Sequence, residues 1–215
     1  MRIPDHLAVI PDGNRRWAEK HGLEKKKGYQ WGLKPGLKLF KLAKKLGIKE
    51  ITYYGFTMDN TKRPNNQTTA FTRACIKAVK MLTGENASLL VVGNTDTKKF
   101  PEELQKYTQR KKFGTGGIKV NILINYGWHW DLNRLQHKKN KNPKYKIIDY
   151  LKSKDISRVD LIIRWGGRRR LSGFLPVQSI YADIYVVDDY WPDFKEEHVY
   201  QALKWYKNQD LTYGG

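Results

Sequence analysis

The sequence predicts an α/β fold with a mainly parallel, six-stranded sheet flanked by helices. Short runs of apolar and β-branched residues recur along the 215-residue chain, and stretches with helical spacing of apolar residues separate most of them. Strands that alternate with helices form parallel sheets with helices packed on their faces. Because no internal repeat or linker-like segment interrupts this pattern, residues 1–215 are expected to form a single domain.

The predicted strands are short runs that end at glycine, proline or polar residues. In chain order they are His6–Ile10, Ile48–Phe56, Leu89–Val92, Val120–Tyr126, Asp160–Ile163 and Ile184–Val187. In an open parallel sheet, ligands bind outside the carboxyl ends of the strands. The segments that follow the strands are therefore where a site is expected.

The predicted helices have apolar residues spaced to form one face. They cover Lys34–Leu46, Thr68–Leu82, Glu102–Lys112 and Glu196–Tyr206. Gly47 is a typical stop for the first of them. Cys75 lies on the apolar face of the second and is predicted to be a core residue. The segment Lys138–Lys146 is basic and polar, and we expect a loop or connector there.

Composition excludes several classes of protein. Apolar residues make up 40% of the chain, which argues against intrinsic disorder. No apolar stretch approaches the length of a membrane span, and the N-terminus lacks the apolar core of a signal peptide. The single cysteine excludes an internal disulfide framework and a cysteine zinc site. We therefore expect a cytoplasmic protein.

The charge leaves three classes of partner open. Lysine and arginine number 41 against 21 acidic residues, so the formal net charge is +20. Such a balance fits nucleic acid, an anionic membrane surface or phosphorylated substrates. The placement of individual residues has to decide between them.

The end of the first strand combines a carboxylate with two arginines. Asp12 and Gly13 are followed by Arg15 and Arg16. Glycine allows close backbone approach, arginine binds phosphate in a fork, and a carboxylate suits a magnesium ion that bridges to a diphosphate. The alternative is a plain Asp-Gly turn with a solvated arginine pair.

Two further strand ends carry polar clusters. Thr57, Asp59, Asn60 and Arg63 follow the second strand, and the fifth opens onto the arginine-rich segment 164–173. A polar loop and a basic surface loop are the alternatives at these two places. In this topology the three clusters converge, which favours a small phosphorylated ligand over a long nucleic acid.

These segments resemble a known family. The stretch HLAVIPDGNRRWA is similar to the H-x-A-x-I-x-D-G-N-G-R-W-A signature of the cis-prenyltransferases, the undecaprenyl diphosphate synthase family. The resemblance continues in order along nearly the whole chain through GYQWG, FTMDNTKRP, NYGWHWDL, DLIIRWGGRRRLSGFLPVQ and YADIYVVDDYWPDF.

The resemblance implies a fold and a chemistry. The fold would be the family's butterfly-like α/β sheet with an apolar tunnel, usually in a homodimer. Because a prenyl substrate is lipid-like and bilayers carry anionic headgroups, peripheral association with a membrane surface is a further expectation. The chemistry would be Mg²⁺-assisted transfer of the prenyl group of an allylic diphosphate to the double bond of an acceptor. Nucleic acid is not an expected partner.

The resemblance also implies roles for individual residues. Asp12 would be the catalytic aspartate that holds Mg²⁺, Asn60 would assist deprotonation, and Asp183 would be a second metal ligand. Residues expected to contact the allylic diphosphate or its surroundings are Gly13, Asn14, Arg15, Arg16, Trp17, Lys25, Tyr29, Thr57, Met58, Asp59, Thr61 and Arg63. Those expected at the second diphosphate are Arg164, Arg170, Leu171 and Ser172.

Several positions depart from the family pattern. Arg168 stands where the elongating enzymes have glutamate, and Trp165 where they have a small polar residue. Thr61 replaces a tryptophan, and Thr212 stands in place of the arginine of a C-terminal R-x-G. These departures concern the second substrate, isopentenyl diphosphate, more than the allylic one.

The leading hypothesis from the sequence is therefore transfer of the prenyl group to a non-standard acceptor, a carbon or a hydroxyl, in an irregular coupling. Ordinary cis chain elongation with isopentenyl diphosphate is the alternative, since Arg164, Arg170 and Ser172 are kept. A non-catalytic partner subunit is a more distant alternative, because such subunits tend to lose the aspartate that this chain keeps as Asp12.

Overall fold

A computed structural model describes residues 2–136 and 147–209. Its strands are β1 (His6–Ile10), β2 (Glu50–Thr57), β3 (Ala87–Val92), β4 (Lys111–Phe113), β5 (Ile118–Tyr126), β6 (Leu161–Trp165) and β7 (Asp183–Val187). They form one sheet in the order β4-β3-β5-β2-β1-β6-β7, parallel except at the β3–β4 pair. The predicted fold class is confirmed, but the described sheet has seven strands instead of six.

The additional strand, β4, replaces the second half of a predicted helix. A 3₁₀ helix covers Glu102–Tyr107, and the predicted continuation to Lys112 is wrong. Arg110 donates to the carbonyl oxygen of Ser88 at 2.9 Å and to Oδ1 of Asn121 at 2.7 Å. These bonds draw the segment to the edge of β3, where it pairs antiparallel. The spacing of apolar residues within the segment cannot reveal this pairing, because β3 is distant in the sequence.

The helices cover both faces of the sheet. They are α1 (Asn14–Lys20), α2 (Gly28–Trp31), α3 (Leu33–Lys45), α4 (Asn65–Thr83), α5 (Trp128–Gln136) and α6 (Glu196–Lys207). The buried residues of α3, α4 and α6 share the larger core cluster with one face of the sheet. The predictions of α3, α4 and α6 are confirmed within a few residues. The expected loop over Lys138–Lys146 lies outside the described residues.

A β-bulge at Gly55 reverses the alternation of side chains near the end of β2. The register against β5 shifts between Tyr54 and Phe56, and a Cβ at Gly55 would lie 2.7 Å from the carbonyl oxygen of Leu123. Tyr54 belongs to the smaller core cluster and Phe56 to the larger one. The bulge therefore lets Phe56 enter the larger core while Thr57 faces the other side.

The chain order around β1 defines where a ligand can bind. β2 pairs with one side of β1 and β6 with the other, so the connections run in opposite directions from β1. A crevice forms at such a reversal, outside the carboxyl ends of the strands. Among the described residues, no helix is long and apolar enough to cross a membrane.

Candidate active site

A polar cleft of about 450 Å³ lies at the carboxyl ends of β1, β2 and β6. It brings together the three clusters that follow these strands. Of the predicted site residues, it is lined by Asp12, Gly13, Asn14, Arg15, Arg16, Lys25, Tyr29, Thr57, Asp59, Asn60, Arg63, Arg164, Arg170 and Ser172. The cleft carries seven cationic and three acidic side chains, so it attracts anions.

Asp12 lines this cleft and lies two residues beyond the end of β1. Its Oδ2 accepts a hydrogen bond from Arg164 Nη2 at 2.8 Å, and its Oδ1 lies 3.5 Å from Arg16 Nη2. The Gly13 amide donates to Oδ1 at 2.6 Å. The carboxylate is one-third exposed, so it is held in place and still reachable from the cleft.

Close backbone packing holds the loop that carries Asp12. Gly13 has φ of 97°, and a Cβ there would meet the Tyr190 ring at 2.6 Å. A Cβ at Gly28 would lie 2.0 Å from the carbonyl oxygen of Asn14. Only glycine fits these two positions, because any side chain would push α2 or the loop away from α1.

Residues 191–194, with the sequence WPDF, also hold the loop that carries Asp12. The Trp191 amide donates to the carbonyl oxygen of Asp12 at 3.0 Å, and its indole Nε1 donates to that of Gly32 at 2.9 Å. Asp193 Oδ1 accepts from Trp17 Nε1 at 2.7 Å. Trp17 is buried and does not line the cleft. The hydrogen bond to Asp193 anchors α1, and the predicted contact of Trp17 with substrate stays a prediction.

Arg164 is buried at the end of β6 and connects the two halves of the cleft. Besides Asp12, its guanidinium donates to Ser172 Oγ at 3.1 Å and to the carbonyl oxygen of Arg170. Tyr54 OH donates to the carbonyl oxygen of Ser172 at 2.8 Å, and burial raises the pKa of the Tyr54 hydroxyl. These bonds fix the loop that presents Arg170 to the cleft.

The remaining cations surround the opposite side of the cleft. Arg63 Nη1 donates to Tyr29 OH at 3.2 Å, and the Tyr29 ring stacks on Phe71 with centroids 4.4 Å apart. Arg15 Nη1 donates to Gln67 Oε1 at 3.3 Å. Lys25 pairs with Glu19 at the rim. Neutral or exposed partners leave these cations available for an anionic ligand.

The segment after β2 forms a tight 3₁₀ turn over Met58–Lys62. Thr57 Oγ1 accepts from the Asn60 amide, and Asn60 Oδ1 accepts from the Thr57 amide. Met58 and Thr61 do not line the cleft, and their predicted contact with substrate stays a prediction. Thr61 Oγ1 donates to the carbonyl oxygen of Met58 at 2.6 Å, so its hydroxyl stabilises the turn.

An apolar cavity of about 110 Å³ continues from the polar cleft between α3, α4 and the sheet. Five residues line both spaces: Pro11, Asn14, Tyr29, Gly55 and Phe71. Cys75 lies in its wall, and burial raises the pKa of the thiol to about 12. The thiol therefore stays protonated, as expected of a core residue. Together the two spaces suit a ligand with an anionic head and an apolar tail.

Sequence reasoning did not predict several residues that shape these spaces. Tyr54, Gly55 and Phe71 line the cleft beside the predicted residues, as does Glu19. Glycine within a predicted strand is a recognised signal of a bulge, so Gly55 could have been found. Phe71 and Tyr54 resemble ordinary core residues in the sequence.

Leu171 and Trp165 lie outside the cleft. Leu171 packs against the smaller core cluster and does not line the cleft, so its predicted contact with substrate stays a prediction. Trp165 is buried in the larger cluster, where its Nε1 donates to His198 Nδ1 at 3.2 Å. The Trp165 replacement therefore changes the core and not the cleft, whereas Arg168 does line the cleft. Thr212 lies outside the described residues.

The structure does not bring Asp183 to Asp12 within one chain. Asp183 opens β7 opposite Leu161, whereas Asp12 follows the end of β1, where Ile10 aligns with Arg164. Roughly five residue steps, about 16 Å, separate the two carboxylates along the strand direction. Within one chain the two carboxylates therefore lie apart, and the metal-ligand role of Asp183 stays a prediction.

Asp12 alone still fits Mg²⁺. The described residues contain no cluster of three His, Cys, Asp or Glu side chains able to hold a metal ion. However, Mg²⁺ is commonly bound by one or two carboxylates together with substrate phosphates. The partly exposed Asp12 carboxylate in a cationic cleft meets that description.

Comparisons with known proteins identify relatives along nearly the whole chain. A family model described as "Putative undecaprenyl diphosphate synthase" matches residues 10–214. The undecaprenyl-diphosphate synthase of Buchnera aphidicola is 33% identical over 98% of this chain and 91% of its own length. That of Yersinia pseudotuberculosis is 34% identical over 100% of this chain and 91% of its own length.

A solved structure shares the fold. Lavandulyl diphosphate synthase from Lavandula x intermedia, in complex with dimethylallyl diphosphate, superposes with a TM-score of 0.83. It is 23% identical, and the match covers 99% of this chain and 98% of that one. At this identity the likeness concerns the fold.

Proposed function

Because this chain belongs to the prenyltransferase family of the undecaprenyl diphosphate synthases and is an enzyme of that type, we propose that it condenses an allylic prenyl diphosphate with isopentenyl diphosphate. The observation that carries the proposal is the arrangement of cations on both sides of Asp12. Arg15, Arg16 and Arg63 lie on one side, and Arg168 and Arg170 follow β6 on the other.

The positive charge of the cleft exceeds the negative charge of one diphosphate. The cleft has four more cationic than acidic side chains, and Arg164 already neutralises Asp12. Two diphosphates with a divalent cation would balance the remainder. The arrangement therefore supports two anionic substrates, which favours the elongation reaction over the irregular coupling that the sequence alone puts first.

The reaction would begin with rupture of the allylic carbon–oxygen bond, with the electron pair leaving on the diphosphate. The double bond of the acceptor then attacks the allylic carbon, and a proton leaves the acceptor. Arg15 and Arg16 would stabilise the charge that grows on the leaving diphosphate, because preorganised cations act most strongly there. The apolar cavity would hold the tail and exclude water from the allylic cation.

Mg²⁺ would be held by Asp12 and the donor diphosphate, and would supply further stabilisation of the departing charge. Arg164 keeps the Asp12 carboxylate oriented toward the cleft through its 2.8 Å hydrogen bond. Asn60 is held by its bonds with Thr57 and would assist deprotonation by orienting the acceptor, while the released diphosphate takes the acceptor's proton.

A non-standard acceptor is the second candidate, and Arg168 favours it. Its cationic side chain lines the cleft where the elongating enzymes resembled by this chain have glutamate. A positive charge in place of a negative one at position 168 would change how the second substrate binds. A second isoprenoid or a hydroxyl compound could then take the place of isopentenyl diphosphate.

The two candidates are distinguished by product analysis. Purified protein with Mg²⁺ is supplied with C5 to C25 allylic diphosphates, with and without labelled isopentenyl diphosphate. Elongation predicts labelled products that lengthen in C5 steps. Release of diphosphate with a coupled product that contains no isopentenyl unit would instead establish the non-standard acceptor.

The Asp12→Asn variant tests the catalytic step itself. The substitution should weaken binding of the metal, which would contribute several kcal/mol of transition-state stabilisation. We therefore expect kcat/KM to fall by about 10³-fold. The Asp5→Asn variant is a matched control, because the Asp5 side chain is exposed and its ion-pair partner among the described residues is the surface residue Lys49. Activity retained in Asp12→Asn would overturn the mechanism.

We also propose a homodimer. The edge strand β7 pairs only with β6 in the described sheet, and apolar side chains lie exposed beside it at Ile180, Tyr181 and Ile184. A second copy would cover this edge. Light scattering that gives a monomer mass at working concentrations would contradict it.

A further inference from the structure

A short segment at the end of β7 contacts both sides of the cleft. This bridging segment covers residues 187–191. On the β6 side, the Gly166 amide donates to the carbonyl oxygen of Asp189 at 2.9 Å, and the Gly167 amide donates to that of Val187 at 3.1 Å. These amides belong to the loop after β6 that presents cations to the cleft. The bridging segment therefore fixes the start of that loop.

The bridging segment also holds the loop that carries Asp12. The Trp191 amide donates to the carbonyl oxygen of Asp12 at 3.0 Å. The Tyr190 ring lies beside the Arg16 guanidinium, with 5.0 Å between the ring centroid and Cζ, and it leaves no room for a Cβ at Gly13. A displacement of the bridging segment would therefore move the candidate metal ligand together with a cation that faces the donor diphosphate.

The buried side chain of His198 holds the bridging segment from the core. Its Nε2 lies 3.0 Å from Asp189 Oδ2. Its Nδ1 lies 3.2 Å from Trp165 Nε1 and 3.3 Å from the Lys195 amide nitrogen. An indole N–H and a backbone N–H can only donate, so Nδ1 is the acceptor and Nε2 carries the imidazole proton. The imidazole therefore donates to the Asp189 carboxylate.

Hydrogen bonds at both ring nitrogens fix the orientation of this imidazole. Trp165 and His198 are buried, whereas the Asp189 side chain is half exposed. The bonds from Trp165 to His198 and from His198 to Asp189 thus connect the core with the surface segment. Neither His198 nor Asp189 lines the cleft, so an effect of either on a bound ligand has to pass through the bridging segment.

We propose that His198 is a positioning residue for prenyl transfer. Through Asp189 it fixes the bridging segment, which holds the loops of Asp12 and Arg168 at the separation that a diphosphate with its divalent cation requires. The inference rests on the proposed function in that the cleft binds such a diphosphate. A misplacement of 1 Å in a site of this kind can cost about 10²-fold in rate.

Binding of inorganic diphosphate with Mg²⁺ tests the positioning without any reaction, and calorimetric titration of the full chain measures its Kd. Asp189→Ala removes the acceptor of the His198 bond, and we expect Kd to rise about tenfold. Asp189→Asn keeps an oxygen acceptor in the same place and should bind within about twofold of the unmodified protein. Unchanged binding in Asp189→Ala, or an equal loss in Asp189→Asn, would overturn the proposal.

Asp188→Ala is the matched control for the loss of charge. Asp188 belongs to the same segment, is exposed and does not line the cleft. Its replacement should leave Kd within about twofold of the unmodified protein. Equal losses in Asp188→Ala and Asp189→Ala would show that only the charge near the cleft matters, which contradicts a positioning role.

A double-mutant cycle assigns the effect to His198. In His198→Asn, the Asn Oδ1 can replace Nδ1 as the acceptor from Trp165, but the shorter side chain loses the bond to Asp189. We expect the same tenfold rise in Kd, and no further rise when Asp189→Ala is added, because both changes break one bond. Losses that multiply would show that His198 acts through core packing alone and would refute the proposal.

Steady-state kinetics provides a second readout. Loss of positioning should raise KM for the allylic diphosphate about tenfold in Asp189→Ala, whereas a smaller folded fraction would lower the apparent kcat and leave KM unchanged. An unchanged KM would therefore contradict the proposal. If the unmodified protein formed no prenyl product, the proposed function would fail, while the calorimetric comparison would still decide the role of His198.

Discussion

Arg164 Nη2 donates to Asp12 Oδ2 at 2.8 Å, and this pair joins the ends of β1 and β6. The arginine is buried, with 4% of its side chain exposed, while the aspartate is 34% exposed. One partner is therefore fixed by the core and the other faces the cleft. The pair positions the candidate metal ligand without removing it from solvent.

Replacing Arg164 by lysine should reduce both activity and stability. A lysine ammonium cannot reach Asp12, Ser172 and the carbonyl oxygen of Arg170 in the planar fork that arginine provides. We expect kcat/KM to fall by about 10- to 100-fold. The loss of about two hydrogen bonds should lower the free energy of unfolding by ~2 kcal/mol.

Steady-state kinetics and urea denaturation measure these two effects. Arg169→Lys is the matched control, because Arg169 is exposed and does not line the cleft. Wild-type kinetics in Arg164→Lys would show that the positioning of Asp12 does not depend on the guanidinium.

Substitution of Gly36 should separate stability from the size of the apolar cavity. Gly36 lies within α3 and lines the cavity, and a Cβ there would meet only Trp191 Cζ2, at 4.0 Å. Gly36→Ala should therefore raise the free energy of unfolding by about 0.5–1 kcal/mol, since glycine is unfavourable inside a helix. Gly36→Leu should fill the cavity and reduce the chain length of the longest product.

Product chromatography and thermal melting check the two Gly36 variants. Gly36→Ala serves as the control for Gly36→Leu, because it changes the helix backbone but little of the cavity volume. If both variants gave the same products as the unmodified protein, the tail would have to lie elsewhere.

Trp17→Phe should weaken the fold without affecting donor binding. The substitution removes the 2.7 Å hydrogen bond to Asp193 while keeping an aromatic ring in the core. We expect a loss of ~1 kcal/mol in the free energy of unfolding. KM for the allylic diphosphate should stay within about twofold, because Trp17 does not line the cleft. A tenfold rise in KM at unchanged stability would restore the sequence-based role in substrate binding.

The stability of the protein should fall as pH drops below about 6.5. Burial lowers the pKa of His6 from 6.5, although Glu50, Asp160 and the carbonyl oxygens of Ser157 and Arg158 oppose this. Between the folded and unfolded pKa values the unfolded chain binds the additional proton, so the free energy of unfolding decreases as pH falls. The slope is at most about 1.4 kcal/mol per pH unit for one such group.

Urea denaturation between pH 7.5 and 5.5 measures this effect, and His6→Gln should flatten the dependence in that window. Glu50 affects the free energy of unfolding at lower pH than His6 does. Burial tends to raise the pKa of its carboxyl, but His6, Asn121 and Ser157 outweigh this and lower it below 4.5. Its contribution is therefore present above pH 4.5 and is lost only below that value. An identical slope in His6→Gln would assign the acid sensitivity to other groups.

Much of the fold and of the cleft follows from local patterns. The first strand is predicted with its observed bounds, and α3, α4 and α6 differ from prediction by a few residues. Asp12, Thr57 and Arg164 lie at strand ends, where their side chains were expected to converge. The additional strand β4 escaped prediction because its pairing with β3 depends on residues distant in sequence.

The sequence by itself determined the class of fold, the family resemblance and the three strand ends that meet at the cleft, because these depend on periodicity and on motifs within short segments. Only the tertiary structure decided which side of the sheet each side chain faces. Arg164 and Trp165 are neighbours in one strand and point to opposite faces, so one reaches the cleft and the other the core. Likewise, Asp183 belongs to a motif, but the parallel register of β6 and β7 places it at the amino ends of the strands. Asp12 lies beyond their carboxyl ends.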